Sequence, residues 1–213
     1  MLSQTHQIQM ELLLFQKIME KAGELNKPNR KELDTTMKTI IIYTSQTGFT
    51  KKYAEWIAQD TAGELMTLKE AEKKPDTFFA SFDTIIYGGW IMAGTIKKSK
   101  WFTDRIGKWK SKRLVLFGVG ASPASDKKEI EEMFQNVLTA EQLEYVQTYY
   151  CQGGVNYDRM SLSSKLLLKA LASSLKKKES RTEKEESMLE ILSENKDCSD
   201  KAFIDPIVSY LKG

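Results

Sequence analysis

Three hydroxyls, those of Ser45, Thr47 and Thr50, stand around Gly48 in the run Ser45-Gln46-Thr47-Gly48-Phe49-Thr50. Hydroxyl donors grouped in this way suit an anion, and Gly48 lets the backbone turn tightly against it. A helical pattern opens near Thr50. The N–H groups at a helix N-terminus lack intrahelical acceptors, and the helix dipole favours negative charge there, so the run reads as a phosphate cradle. No lysine is needed for such a site. Two further runs carry glycines, Gly88-Gly89-Trp90-Ile91-Met92-Ala93-Gly94-Thr95 and Gly118-Val119-Gly120-Ala121-Ser122-Pro123. Glycines there leave backbone N–H and C=O groups open to a ligand, and Trp90 offers a ring face for stacking.

The surrounding pattern says which elements hold these runs. Residues 39–44 read as a strand and 50–61 as a helix, with Tyr53, Ile57 and Ala58 on its apolar face. Glu64–Leu68 is a short strand, and Asp83–Tyr87 a third. A helical stretch follows through Trp101, Phe102, Ile106 and Trp109, with the two tryptophans expected in the core. Arg113–Phe117 is a fourth strand without polar alternation, as in strands covered on both faces. Lys127–Leu138 is helical, Tyr145–Cys151 a fifth strand, and Ala202–Leu211 a closing helix. Five β–α units of this kind predict an α/β fold with a doubly wound five-stranded parallel sheet. Ligands of such sheets bind outside the carboxyl ends of the strands, where strand order reverses, and all three runs fall at that edge.

Alternation fails only between Gly153 and Lys201, which predicts an insertion over about 156–200 near the fifth strand. It opens with a helix over Leu162–Lys177, whose apolar stripe (Leu162, Leu166, Ala170) is expected to dock on the domain. A polar, charged stretch that is expected to be mobile follows it. Residues 1–36 read as an addition: Ile8, Leu12, Phe15, Met19 and Ala22 fall at helical spacing, and Asn26-Lys27-Pro28-Asn29 breaks the pattern. The domain proper is expected over 37–213, and the preceding helix is either the product of an upstream start or a small interaction element.

Composition narrows the chemistry. The 213 residues carry a net charge of +3, which does not argue for nucleic acid. His6 is the only histidine, which removes most zinc sites and every Ser-His-Asp arrangement. Cys151 and Cys198 are far apart and suit a reducing cytoplasm, and both are expected to be inert. No apolar run reaches the ~20 residues of a membrane span, and Leu12–Phe15 is too short for a signal-peptide core. Lys97–Arg113 is strongly basic, with Asp104 its single acid, and it reads as a solvated face that also suits an acidic redox partner. Lys165–Lys178 is basic as well, and its flanks allow contact with a membrane surface.

Several phosphate-handling architectures share this layout, and residues separate them. The G-x-x-x-x-G-K-[ST] loop is absent, and Pro123 stands where the dinucleotide motif beginning at Gly118 needs its last glycine. A receiver domain needs acids where Thr44 and Ser45 stand. A tyrosine phosphatase of this fold needs a cysteine in the opening loop. A phosphorylated ligand held without chemistry on its phosphate remains.

The opening loop, as [ST]-x-T-G-x-T after a first strand, resembles the phosphate loop of the flavodoxins, over roughly residues 37–155 plus the closing helix. That resemblance implies the flavodoxin-like fold and FMN as cofactor. The phosphate would lie on Ser45, Gln46, Thr47, Gly48, Phe49 and Thr50. The isoalloxazine would lie between Gly88, Gly89 and Trp90 on one edge and Gly118, Val119 and Gly120 on the other. It further implies cytoplasmic electron transfer to a redox partner protein or a small-molecule acceptor, with no catalytic side chain of its own. The sequence departs from many flavodoxins in its basic run after Thr95, in lacking an aromatic in the fourth-strand loop, and in its insertion. Gly154–Met160 followed by Lys165-Leu166-Leu167-Leu168-Lys169 is similar to the flavodoxin-type protoporphyrinogen oxidases. That likeness implies, as alternative, an FMN-dependent porphyrinogen or quinone oxidoreductase, peripheral at the inner membrane face, with Tyr157 and Arg159 lining a substrate pocket near the flavin. A cofactor-free interaction module on the same fold is the third reading.

Overall fold

An unbroken β-branched and aromatic run, Thr39-Ile40-Ile41-Ile42-Tyr43, suits a strand covered on both faces. It forms an inner strand of the sheet in the computed structural model, which describes residues 37–213. The helix expected over 1–36 lies outside the described residues. The order is β1 (Thr39–Tyr43), α1 (Phe49–Thr61), β2 (Glu64–Thr67), α2 (Leu68–Ala71), α3 (Asp76–Ala80), β3 (Thr84–Met92), β4 (Thr95–Ile96), α4 (Lys100–Thr103) and β5 (Arg113–Gly120). It continues with α5 (Lys127–Val137), α6 (Ala140–Leu143), β6 (Val146–Gln152), β7 (Gly154–Val155), α7 (Leu162–Lys176), α8 (Glu183–Ser193), β8 (Lys196–Asp197) and α9 (Asp205–Lys212). Single 3-10 turns cover Ile106–Trp109, Tyr157–Arg159 and Lys201–Ile204.

Five strands pair in parallel in the order β2-β1-β3-β5-β6, the doubly wound sheet expected from the sequence. Winding reverses between β1 and β3, which opens a crevice at their carboxyl ends. Strand side chains alternate between faces, so Ile40, Ile42, Ile85, Tyr87, Leu114 and Leu116 meet Phe79, Phe102, Trp109 and Phe134 on one side. Ile41, Ile86, Val115 and Phe117 meet Tyr53 and Ile57 of α1 and Ile207 and Leu211 of α9 on the other. Trp109 is buried and Trp101 packs against the same core, as expected.

Two expectations change. The glycine runs are not loops throughout: β3 continues to Met92 and β5 to Gly120, pairing Gly88 with Phe117, Gly89 with Gly118 and Trp90 with Val119. The glycines make room for neighbouring side chains. A Cβ on Gly88 would stand 2.0 Å from the Phe117 ring, and one on Gly89 would stand 2.6 Å from Ile96. The insertion also differs from its expected form. Its polar second half is a helix, α8, opened by a capping box in which Thr182 Oγ1 accepts from Glu185 N–H and Glu185 from Thr182 N–H. It packs on α7 around Ala172, Leu175, Ile191, Leu192 and Val155. The stripe of α7 expected to dock faces solvent instead, with Leu162 80% and Leu166 69% exposed.

Candidate functional site

β1 ends at Tyr43, and Thr44 N–H donates to Gly88 C=O at 2.9 Å, tying the opening loop to the next strand. Ser45 Oγ then accepts from Gly48 N–H at 3.1 Å. Gly48 adopts φ +105°, left-handed backbone that L side chains rarely enter, and from there the chain starts α1. No acidic residue lies in the first turn of α1 and no side chain caps it. Its leading N–H groups are therefore free for an external acceptor, beside the positive end of the helix dipole. In that turn Thr50 is 1% exposed, and its Oγ1 has no hydrogen-bond partner. A buried hydroxyl left unpaired costs about 1–3 kcal/mol, and a bound anion would supply the missing acceptor. The hydroxyl-rich loop and the orphaned donor fit a phosphate.

The loop is the hinge of a two-part cleft. Its polar part is lined by Tyr43 to Gly48, Lys51, Thr67, Leu68, Lys69 and Arg159. The second part is mostly apolar and is lined among others by Phe49, Trp90, Ile91, Met92, Val119 and Gly120. Gln46 and Thr47 line both parts. Trp90 brings a buried indole N–H without a partner, a second unmet donor at the cleft.

Of the residues expected at the site, Ser45, Gln46, Thr47, Gly48, Phe49, Trp90, Val119 and Gly120 line the cleft. Thr50 lies buried behind it. Gly88, Gly89 and Gly118 are within the sheet, where Phe117, Ile96 and Ile91 pack over them. Sequence reasoning missed Ile91, Met92 and Ala121 as wall residues, and also Val155, Met160 and Leu168, which the insertion brings to the apolar part. Nothing in local spacing marks those last three, because the contact spans the fold. Tyr157 and Arg159 were expected near one ligand pocket. Arg159 lines the polar part, whereas the Tyr157 hydroxyl donates to Leu192 C=O at 2.8 Å.

Charge at the site is more local than composition suggests. Lys51 pairs with Glu55 at 3.5 Å, and Lys52 with Asp197 at 2.9 Å while lying over the Trp56 ring. The basic run after Thr95 is partly neutralised by Lys100–Asp104, Lys108–Asp76 and Lys110–Glu141 pairs. The hydrogen bond from Lys108 holds the Asp76 carboxyl below its ordinary range. Further round, the Tyr150 hydroxyl donates to Ser122 C=O at 2.5 Å and fixes the loop after β5. Burial pushes the Cys151 thiol well up, so that cysteine stays protonated and unreactive.

A flavodoxin domain family model matches residues 40–182. No curated protein matches the chain. Among solved structures, the chain is similar to the flavodoxin, WrbA-like protein from Agrobacterium tumefaciens, at 19% identity, covering 74% of this chain and 96% of that one, with a TM-score of 0.42. It is also similar to a flavoprotein in complex with FMN from Lactobacillus acidophilus, at 19% identity, 55% and 92% coverage and a TM-score of 0.36. A third is flavodoxin 1 from Bacillus cereus, at 18% identity, 57% and 88% coverage and a TM-score of 0.36.

Proposed function

The chain belongs to the flavodoxin domain family, and on that footing we propose that it binds FMN and passes electrons to a redox partner protein or a small-molecule acceptor. The observation that carries this reading is the junction at Gln46 and Thr47 of a hydroxyl-lined polar cleft with an apolar one. Such a site suits a ligand with a phosphate at one end and a planar ring at the other. Ser45, Thr47 and Thr50 donate hydroxyl protons to the phosphate, and the first N–H groups of α1 add to them. Trp90, Ile91, Met92 and Val119 wall the ring from water, and backbone groups of the two glycine-bearing edges orient it. FMN supplies the one- and two-electron chemistry, so the protein's contribution is binding, orientation and electrostatics.

The test is direct. Purified protein is expected to be yellow or to take up FMN, and to release FMN on denaturation. Thr47→Glu sets a carboxylate against the phosphate and is expected to weaken FMN binding at least ~100-fold, about 2.7 kcal/mol. Unchanged affinity in that variant would remove the phosphate from this loop.

A second reading is favoured by one observation. The insertion places Val155, Met160 and Leu168 in the apolar cleft and leaves Leu162, Leu166, Leu167 and Leu171 exposed among lysines. On this reading the protein is an FMN-dependent oxidoreductase working at an anionic membrane surface. It requires that the protein sediment with anionic vesicles.

A further inference from the structure

Resting on the FMN reading, we infer that Arg159, carried by the insertion, is a phosphate-binding residue that makes the site select phosphorylated flavins. Arg159 belongs to the 3-10 turn Tyr157–Arg159, far along the chain from the opening loop. It nevertheless lines the polar cleft with Ser45, Gln46, Thr47 and Gly48. A methyl group built on Gly48 would stand 3.3 Å from Arg159 Nη1, so the guanidinium lies against the loop itself. Among the described residues no carboxylate or carbonyl engages that guanidinium. Lys51, which also lines the cleft, pairs with Glu55, and Lys52 pairs with Asp197. Lys69 is a further cation in the cleft, on a flexible ammonium stem that cannot offer a fork of donors.

The turn that carries Arg159 is fixed before any ligand arrives. Asn156 Oδ1 accepts from Arg159 N–H at 3.2 Å. Asn195 Oδ1 accepts from Tyr157 N–H at 2.7 Å, and Asn195 Nδ2 donates to Asp158 Oδ2 at 2.8 Å. The one carboxylate beside Arg159 in sequence is therefore held by Asn195. A guanidinium without a counter-charge, carried on a hydrogen-bonded turn and set against Gly48 at the start of α1, is suited to a dianionic acceptor. The consequence reaches beyond affinity. A phosphate bridging the loop and Arg159 ties the insertion to the domain, so cofactor and insertion stabilise one another by linkage.

The experiment titrates wild type, Arg159→Gln, Arg159→Lys and Lys69→Gln with FMN and with riboflavin, which has the ring and lacks the phosphate. Arg159→Gln is expected to weaken FMN binding about 10- to 100-fold, the range for a charge-assisted bond, with riboflavin affinity unchanged. Arg159→Lys keeps the charge without the fork and is expected to recover part of the loss. Lys69→Gln is expected to change FMN affinity less than Arg159→Gln. Wild-type FMN is also expected to slow proteolysis within 156–195, and Arg159→Gln to abolish that protection. Unchanged FMN affinity in Arg159→Gln overturns the inference, as does equal loss for FMN and riboflavin, which would mark a structural role. A wild type that binds neither flavin overturns the FMN reading instead, and the two failures are told apart by that titration alone.

Discussion

At the scale of single residues, Thr50 is the most informative position. Its hydroxyl is buried without a partner, an arrangement that weakens the empty fold and strengthens a liganded one. Thr50→Val replaces the hydroxyl by a methyl of similar volume. Thermal melting of the flavin-free protein is expected to stay equal or rise, because an unsatisfied group is removed. FMN affinity is expected to fall about 10-fold, or 1.4 kcal/mol, with riboflavin affinity unaffected. A flavin-free variant that melts well below wild type would show that the hydroxyl has a structural partner. The loop around it was legible in sequence because hydroxyls, a glycine and a helix start are local signals. Arg159 was legible only as a residue near a ligand. That it lies against Gly48 depends on where a distant turn folds back.

At the scale of elements, the insertion departs most from its expected form. α8 had a readable signature, the Thr182-x-x-Glu185 capping box ahead of Met188, Ile191 and Leu192, which the dense charges around it obscured. α7 had an apolar pattern wide enough for more than one face, and periodicity does not say which face is buried. The structure buries Ser164, Ala172 and Leu175 and exposes Leu162, Leu166, Leu167 and Leu171. Exposed leucines between Lys165 and Lys169 suit an anionic bilayer, apolar contact and charge acting together. Burying one leucine stabilises by about 1.5–3 kcal/mol. Leu166→Glu is accordingly expected to weaken binding to phosphatidylglycerol vesicles ~10-fold or more, leaving the melting temperature unchanged. Sedimentation equal to wild type, or equal binding to phosphatidylcholine vesicles, would remove this surface from the membrane reading.

At the scale of the whole molecule, the core around the sheet buries ionisable groups as donors. The hydroxyls of Tyr53, Tyr87 and Tyr150 donate to Gln152, Lys97 and Ser122 carbonyls. Burial pushes all three hydroxyls and the Cys151 thiol up from their ordinary values. Unfolded, the cysteine loses its proton near pH ~8.5 and the tyrosines near ~10, whereas the folded protein retains them. The unfolded state then binds fewer protons, so stability is full below about pH 8.5 and falls as pH rises beyond it. Urea unfolding from pH 7.5 to 10.5 is expected to show a midpoint that declines above about pH 9. A constant midpoint would mean these groups titrate alike in both states. The sequence by itself determined the winding of the sheet and the anion loop, because strand and helix periods and a contiguous hydroxyl run are properties of neighbours along the chain. Only the tertiary structure decided that Gly88, Gly89 and Gly118 yield their space to Phe117, Ile96 and Ile91. Likewise, it alone set the insertion against the cleft with Arg159 at the loop. Both depend on which surfaces meet when distant segments compete to bury apolar area, and no local pattern records that outcome.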